Sequence, residues 1–171
     1  MNTLIQFPVN PGLDVPARGA LNPPPRILVV DGESYTRQLI TEALNHSGYQ
    51  VDTAEDGAIA WEALERNRYD LLVTDNNMGR LTGPGLVKKL HAAHRALPVV
   101  MVSGGMMSNE EPSRLKTPQI DATLMKPFTI HDIIRTVRQV LGSADRAREQ
   151  AARPALISLP LAQESLCAAA C

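Results

Sequence analysis

The sequence predicts an α/β domain built on a doubly wound, five-stranded parallel sheet. Three observations lead there: apolar runs of strand length uninterrupted by charge, amphipathic helical patterns between them, and alternation of the two across residues 26–142. Strands joined through helices need right-handed crossovers, which lay the strands parallel and put helices on both faces of the sheet.

The first strand is carried by Ile27, Leu28, Val29 and Val30, an all-apolar run suited to burial on both faces. Leu39, Ile40, Ala43 and Leu44 follow at helical spacing and make one apolar stripe. Residues 49–54 form a weaker strand in which Val51 alternates with polar neighbours, as on a sheet edge. Ala60, Trp61 and Leu64 mark the second helix, and Leu71, Leu72 and Val73 the third strand. Leu86, Val87 and Leu90 give a third helix before the strand at Val99, Val100, Met101 and Val102. Residues 120–125 are less hydrophobic and read as a fifth strand at or near an edge. In the last helix Thr129 and Asp132 form a capping box, and Ile130, Ile133, Ile134, Val137, Val140 and Leu141 make the stripe. Gly142 is expected to stop it, closing the domain at 26–142.

The flanks differ in texture. Six of the 13 prolines fall in residues 1–25, where fixed φ angles and missing amide donors oppose helix and central strand, so this stretch reads as a disordered Pro-rich arm. Leu4, Ile5 and Phe7 form a short apolar cluster within it. The polar segment 108–117 contains Pro112 and precedes Pro118, so any helix there is short and the segment is expected to be mobile. Residues 143–171 are an Ala-rich C-terminal tail, broken by Pro154 and Pro160. Its Cys167 and Cys171 lack nearby His or further Cys, so no zinc site is expected.

Composition excludes several classes of function. Lys and Arg number 17 against 18 Asp and Glu, the formal net charge is −1, and no segment is strongly basic, so direct nucleic-acid binding is not expected. No stretch approaches the roughly 18–20 apolar residues of a membrane span, and no basic then apolar leader opens the chain. Two cysteines, both in the last five residues, cannot staple the fold, and a reducing, cytoplasmic setting is expected.

In an open parallel sheet the functional crevice lies beyond the carboxyl ends of the strands. There the first strand ends in Asp31, the third in Asp75 and the fourth in Ser103, while Lys126 and Pro127 follow the fifth. A strand-end Asp alone is usually a turn or cap residue; four polar strand ends on one edge are a different matter. Two carboxylates can hold a hard divalent cation, an ammonium can neutralise a phosphoryl oxygen and a hydroxyl can donate to another. This is equipment for phosphoryl transfer.

Through Ile27-Leu28-Val29-Val30-Asp31, Leu72-Val73-Thr74-Asp75-Asn76-Asn77-Met78, Val102-Ser103-Gly104 and Met125-Lys126-Pro127-Phe128, the sequence resembles the receiver domain of bacterial two-component response regulators. The resemblance spans 26–142 and implies the flavodoxin-like receiver fold with strand order 2-1-3-4-5. It implies Asp75 as phosphoacceptor, attacking a phosphohistidine or a small phosphodonor, with Ser103 donating to the phosphoryl group and Lys126 pairing with it. It implies Mg²⁺ held by Asp31, Asp75 and the backbone carbonyl of Asn77, and a cis Lys126-Pro127 bond.

The chain departs from that pattern at four positions. Gly32 stands where a second acid normally follows Asp31, so weakened Mg²⁺ binding is expected, with the neighbouring Glu33 a candidate to compensate. Thr123 replaces the usual aromatic switch residue, Gly79 the usual proline, and Thr82 a common acid. The expected function is a single-domain response regulator in a phosphorelay, with a histidine kinase or phosphotransfer protein upstream and an unknown protein target downstream. The alternative is a degenerate receiver acting as a phosphorylation-independent interaction module. A turnover enzyme of the haloacid-dehalogenase type explains less, because Asn77 occupies the place of that family's general acid and base.

Overall fold

The three apolar runs at 27–30, 71–73 and 99–102 become the three central strands, and the two weaker patterns become the edges. The computed structural model describes residues 23–105 and 120–152. In chain order the elements are β1 (Arg26–Val30), α1 (Ser34–His46), β2 (Gln50–Ala54), α2 (Gly57–Arg66), β3 (Leu71–Asp75), α3 (Gly83–Ala92), β4 (Val99–Ser103), β5 (Ala122–Met125) and α4 (Ile130–Ala152). All pairings are parallel and the strand order is β2-β1-β3-β4-β5, as the receiver resemblance implied.

Successive strand residues point to opposite faces, so each central strand feeds two cores. Ile27, Val29, Leu71, Val73, Val100 and Val102 pack under α1 and α4, against Ile40, Leu44, Ile133 and Val137. Leu28, Val30, Leu72, Val99 and Met101 pack under α2 and α3, against Ala60, Leu64, Leu86 and Leu90. The edge strands are only partly covered, which is why their sequences alternate.

At the amino-terminal edge, a polar knot ties three strands together. The Arg26 N–H donates to Asp70 Oδ2 at 2.9 Å, its Nε to Asp52 Oδ2 at 2.9 Å, and the Tyr69 hydroxyl to the same Asp52 oxygen at 2.8 Å. Burial first, and then the bond to Asp52, push the Tyr69 pKa up to about 12.

One expectation about the helices is corrected. Gly142 does not end the last helix, which continues to Ala152. An interior glycine costs about 1 kcal/mol, and the Ala, Arg, Glu and Gln that follow favour helix strongly enough to outweigh it. The capping box does form: the Asp132 carboxylate accepts from the Thr129 N–H at 3.0 Å, and the Asp132 N–H donates to Thr129 Oγ1 at 3.2 Å. The cluster Leu4, Ile5 and Phe7, the segment 108–117, and Cys167 and Cys171 lie outside the described residues. Among the described residues no helix is long and apolar enough to cross a membrane.

Candidate functional site

Backbone ladder bonds extend past the strand ends and fix where the polar side chains emerge. The Asp31 N–H donates to Ala54 O at 3.3 Å, Asn76 N–H to Val102 O at 2.8 Å, and Lys126 N–H to Ser103 O at 2.7 Å. Asp31, Asp75 and Ser103 are all buried. Lys126 Nζ lies 2.9 Å from Asp31 Oδ2 and 3.1 Å from Asp75 Oδ1, so one ammonium bridges both carboxylates. The other two oxygens take backbone donors: Glu33 N–H to Asp31 Oδ1 at 2.8 Å, and Asn77 N–H to Asp75 Oδ2 at 3.2 Å.

Burial pulls the Lys126 pKa down, but hydrogen bonds and charge from Asp31 and Asp75 outweigh it, and the net shift is upward. Lys126 is therefore a fixed cation at neutral pH. The Lys126-Pro127 peptide is cis. Gly83 lets the start of α3 press on the end of β3: a Cβ there would sit 2.2 Å from Asp75 O.

Ser103 is brought to the same edge, but its hydroxyl donates to Gly105 O over a long 3.4 Å and does not join the Lys126 cluster. Glu33 is not brought in either. Its carboxylate is exposed and accepts from Thr36 Oγ1 at 2.8 Å on the first turn of α1, so only its backbone serves the site. Among the described residues no three His, Cys, Asp or Glu side chains gather as a metal site. The acidic set at this edge is the pair Asp31 and Asp75. Such an all-oxygen set suits a hard cation that keeps several of its waters, so Mg²⁺ fits, with fewer charged ligands than three acids would give.

Gly32 is not demanded by the backbone, since its φ lies outside the left-handed region and a Cβ would meet only Glu55 O at an ordinary 3.7 Å. Thr123 is exposed on β5. Two cations escaped the sequence reading. Arg37 donates from Nη1 to Asp31 O at 2.6 Å, and its place one turn into the helix after Asp31 is the signal for it. Arg80, in the loop after β3, pairs with Asp56 at 3.2 Å, a contact that no local pattern announces.

The comparisons agree with this geometry. The family model described as the response regulator receiver domain matches residues 27–138. The chain belongs to the response-regulator receiver family. The receiver is 34% identical over 123 residues to the sensor histidine kinase RcsC of Escherichia coli, covering 72% of this chain and 13% of that protein. It is 34% identical over 117 residues to the transcriptional regulatory protein PrrA of Mycobacterium tuberculosis, covering 68% of this chain and 50% of that one. The receiver thus spans half or less of the length of these curated relatives. Among solved structures, the receiver domain of the Francisella response regulator 1452 matches with TM-score 0.65 and 29% identity, over 70% of this chain and 98% of that one. The chemotaxis response regulator CheY4 of Vibrio cholerae matches with TM-score 0.62 and 28% identity, over 68% and 98%. Receiver domains of this kind work in two-component signalling with histidine kinases or phosphotransfer proteins, and in general bind Mg²⁺ at an acidic pocket.

Proposed function

We propose that this receiver accepts a phosphoryl group on Asp75 and signals by protein contact, within a cytoplasmic phosphorelay. The observation that carries the reading is the Lys126 ammonium bridging Asp31 and Asp75 at the carboxyl edge of the sheet. An Asp75 oxygen attacks phosphorus, the bond to the donor's imidazole nitrogen breaks, and the imidazole leaves. Lys126 is placed to pair with the transferred oxygens, and Ser103 has only a long bond to give up before donating to them. Asp31, Asp75 and the Asn77 carbonyl would hold Mg²⁺, which when bound supplies positive charge to the phosphoryl oxygens.

The surroundings of the pocket support a protein as donor. The exposed large hydrophobic side chains among the described residues are Tyr35, Ile59 and Met125. They stand on the first turn of α1, the first turn of α2 and the end of β5, all at the carboxyl edge around the phosphoacceptor. Apolar side chains around a charged centre suit transient docking of a histidine kinase or phosphotransfer domain. The near-neutral charge supports a protein rather than a nucleic-acid target.

The test is incubation with Mg²⁺ and a small acyl phosphate, read by intact mass. One phosphoryl adduct is expected, absent without metal and absent in Asp75→Asn. No adduct on folded protein at high Mg²⁺, with partner binding unchanged by Asp75→Asn, would replace this reading with a phosphorylation-independent interaction module.

A further inference from the structure

The loop 76–82 joins the phosphoacceptor to α3, and it is held at both ends and in its middle. At its start the Asn77 N–H donates to Asp75 Oδ2 at 3.2 Å, and at its end the Gly83 N–H donates to Asn76 O at 3.3 Å. Its middle is pinned elsewhere, against the beginning of α2. A Cβ on Gly57 would lie 2.4 Å from Leu81 O, so the loop rests directly on the backbone of the first residue of that helix.

Arg80 sits at the turn of this loop. Its φ is 55°, a left-handed conformation uncommon for a residue with a side chain, and the Leu81 N–H closes the turn onto Gly79 O at 2.6 Å. Its Nε lies 3.2 Å from Asp56 Oδ2. The other oxygen of Asp56 caps α2, accepting from Ala58 N–H at 2.8 Å and Ile59 N–H at 2.9 Å. Asp56 is buried and fixed by that cap, so it is a firm anchor for an Arg80 side chain that is 71% exposed.

We infer that Arg80 is a positioning residue, whose ion pair with Asp56 holds the loop and thereby places Asn77 beside Asp75. The need for it lies next door. Gly79 leaves the chain free where a proline would restrict it, and a Cβ at that position meets nothing within 4 Å. A strained turn persists only when its surroundings hold it, and here Arg80 with Asp56 and Leu81 with Gly57 do so alongside Met78, which is buried in the core under α2 and α3. The role matters more than usual in this chain. With Gly32 removing one carboxylate, the cation site depends more heavily on the backbone at Asn77, so the cost of letting that loop wander is larger.

This inference rests on the phosphoacceptor reading, and the experiment separates the two. Mg²⁺ binding to the full chain is measured by titration calorimetry alongside the rate of Asp75 labelling by an acyl phosphate. Asp56→Asn keeps the helix cap, since Asn caps as well as Asp, while removing the charge. Asp56→Asn and Arg80→Ala are each expected to weaken Mg²⁺ binding about three- to fivefold with an unchanged thermal midpoint, while Arg80→Lys retains most of the affinity. Gly79→Pro added to Arg80→Ala is expected to restore the affinity, because it stiffens the same loop by another route. Unchanged Mg²⁺ affinity in both single variants would overturn the inference, as would a loss that Gly79→Pro leaves untouched. A wild-type chain unable to bind Mg²⁺ would overturn it too. A wild-type chain that binds Mg²⁺ yet takes no phosphoryl group would refute the Asp75 chemistry alone, since the same titrations still decide the part played by Arg80.

Discussion

Lys126 and Asp31 meet across the sheet: Nζ of the first is 2.9 Å from Oδ2 of the second, although β3 and β4 lie between their strands and 95 positions separate them in sequence. With Asp75, which the same ammonium also meets, the pair joins three of the four polar strand ends into one electrostatic unit. Lys126→Met leaves two buried carboxylates without their cation and is expected to cost roughly 1–3 kcal/mol at neutral pH. Because the folded pKa of Lys126 is raised, its contribution is fully present below the ordinary lysine value of 10.5 and is lost as pH climbs through the higher folded value. Urea midpoints from neutral to strongly alkaline pH should therefore show a gap between wild type and variant that stays constant up to the ordinary lysine value of 10.5 and narrows as pH rises from there through the folded value. A gap that closes below pH 9 would contradict the bridge.

Gly32→Asp should restore a carboxylate to the pocket. Neither space nor backbone conformation resists it, with Glu55 O 3.7 Å from a Cβ and φ outside the left-handed region. An added oxygen ligand is expected to lower the Mg²⁺ concentration needed for half-maximal labelling of Asp75 by roughly tenfold, equivalent to ~1.4 kcal/mol. Labelling rates across a Mg²⁺ series check it, and equal requirements in both proteins would show that position 32 does not reach the cation.

Strand ends were legible because a charge that closes an apolar run has few other reasons to be there, and Asp31, Asp75 and Lys126 each do so. The strand order rested on family resemblance, because local pattern says which residues are buried but not which strands are neighbours. Side-chain orientation was not legible at all. Glu33 has the charge to serve the metal, but Thr36 at the next helical turn claims it. Arg80 finds Asp56 only because the tertiary fold rests one loop on another helix. Gly142 does not end α4 because its local preference for a stop is weak beside the helix-favouring residues that follow it.

Tyr69→Phe tests the knot at the opposite edge. The hydroxyl donates to Asp52 at 2.8 Å, and losing it should destabilise the fold by about 0.5–1.5 kcal/mol at pH 7. With the folded pKa raised from 10.0 to about 12, the stabilisation is whole below pH 10 and fades as pH rises towards 12. Denaturant midpoints of the two proteins should accordingly converge in that window and nowhere below it. Convergence near neutral pH would mean that the hydroxyl contributes through something other than its proton.

Gly142→Ala separates a helix interior from a helix end. At a left-handed stop, a Cβ is strained and alanine destabilises; inside a helix, alanine removes the backbone entropy that glycine loses on folding. Gly142 lies ten residues before the end of α4, and its φ is not in the left-handed region, whereas Gly48 after α1 has φ 85°. Gly142→Ala is thus expected to stabilise the protein by about 0.5–1 kcal/mol, and Gly48→Ala to destabilise it by a similar amount. Thermal midpoints of the two variants should move in opposite directions. A fall in both would place the end of the last helix at Gly142, and would detach Arg148, whose Nη1 now lies 3.9 Å from Asp70 Oδ1, from the amino-terminal edge of the sheet.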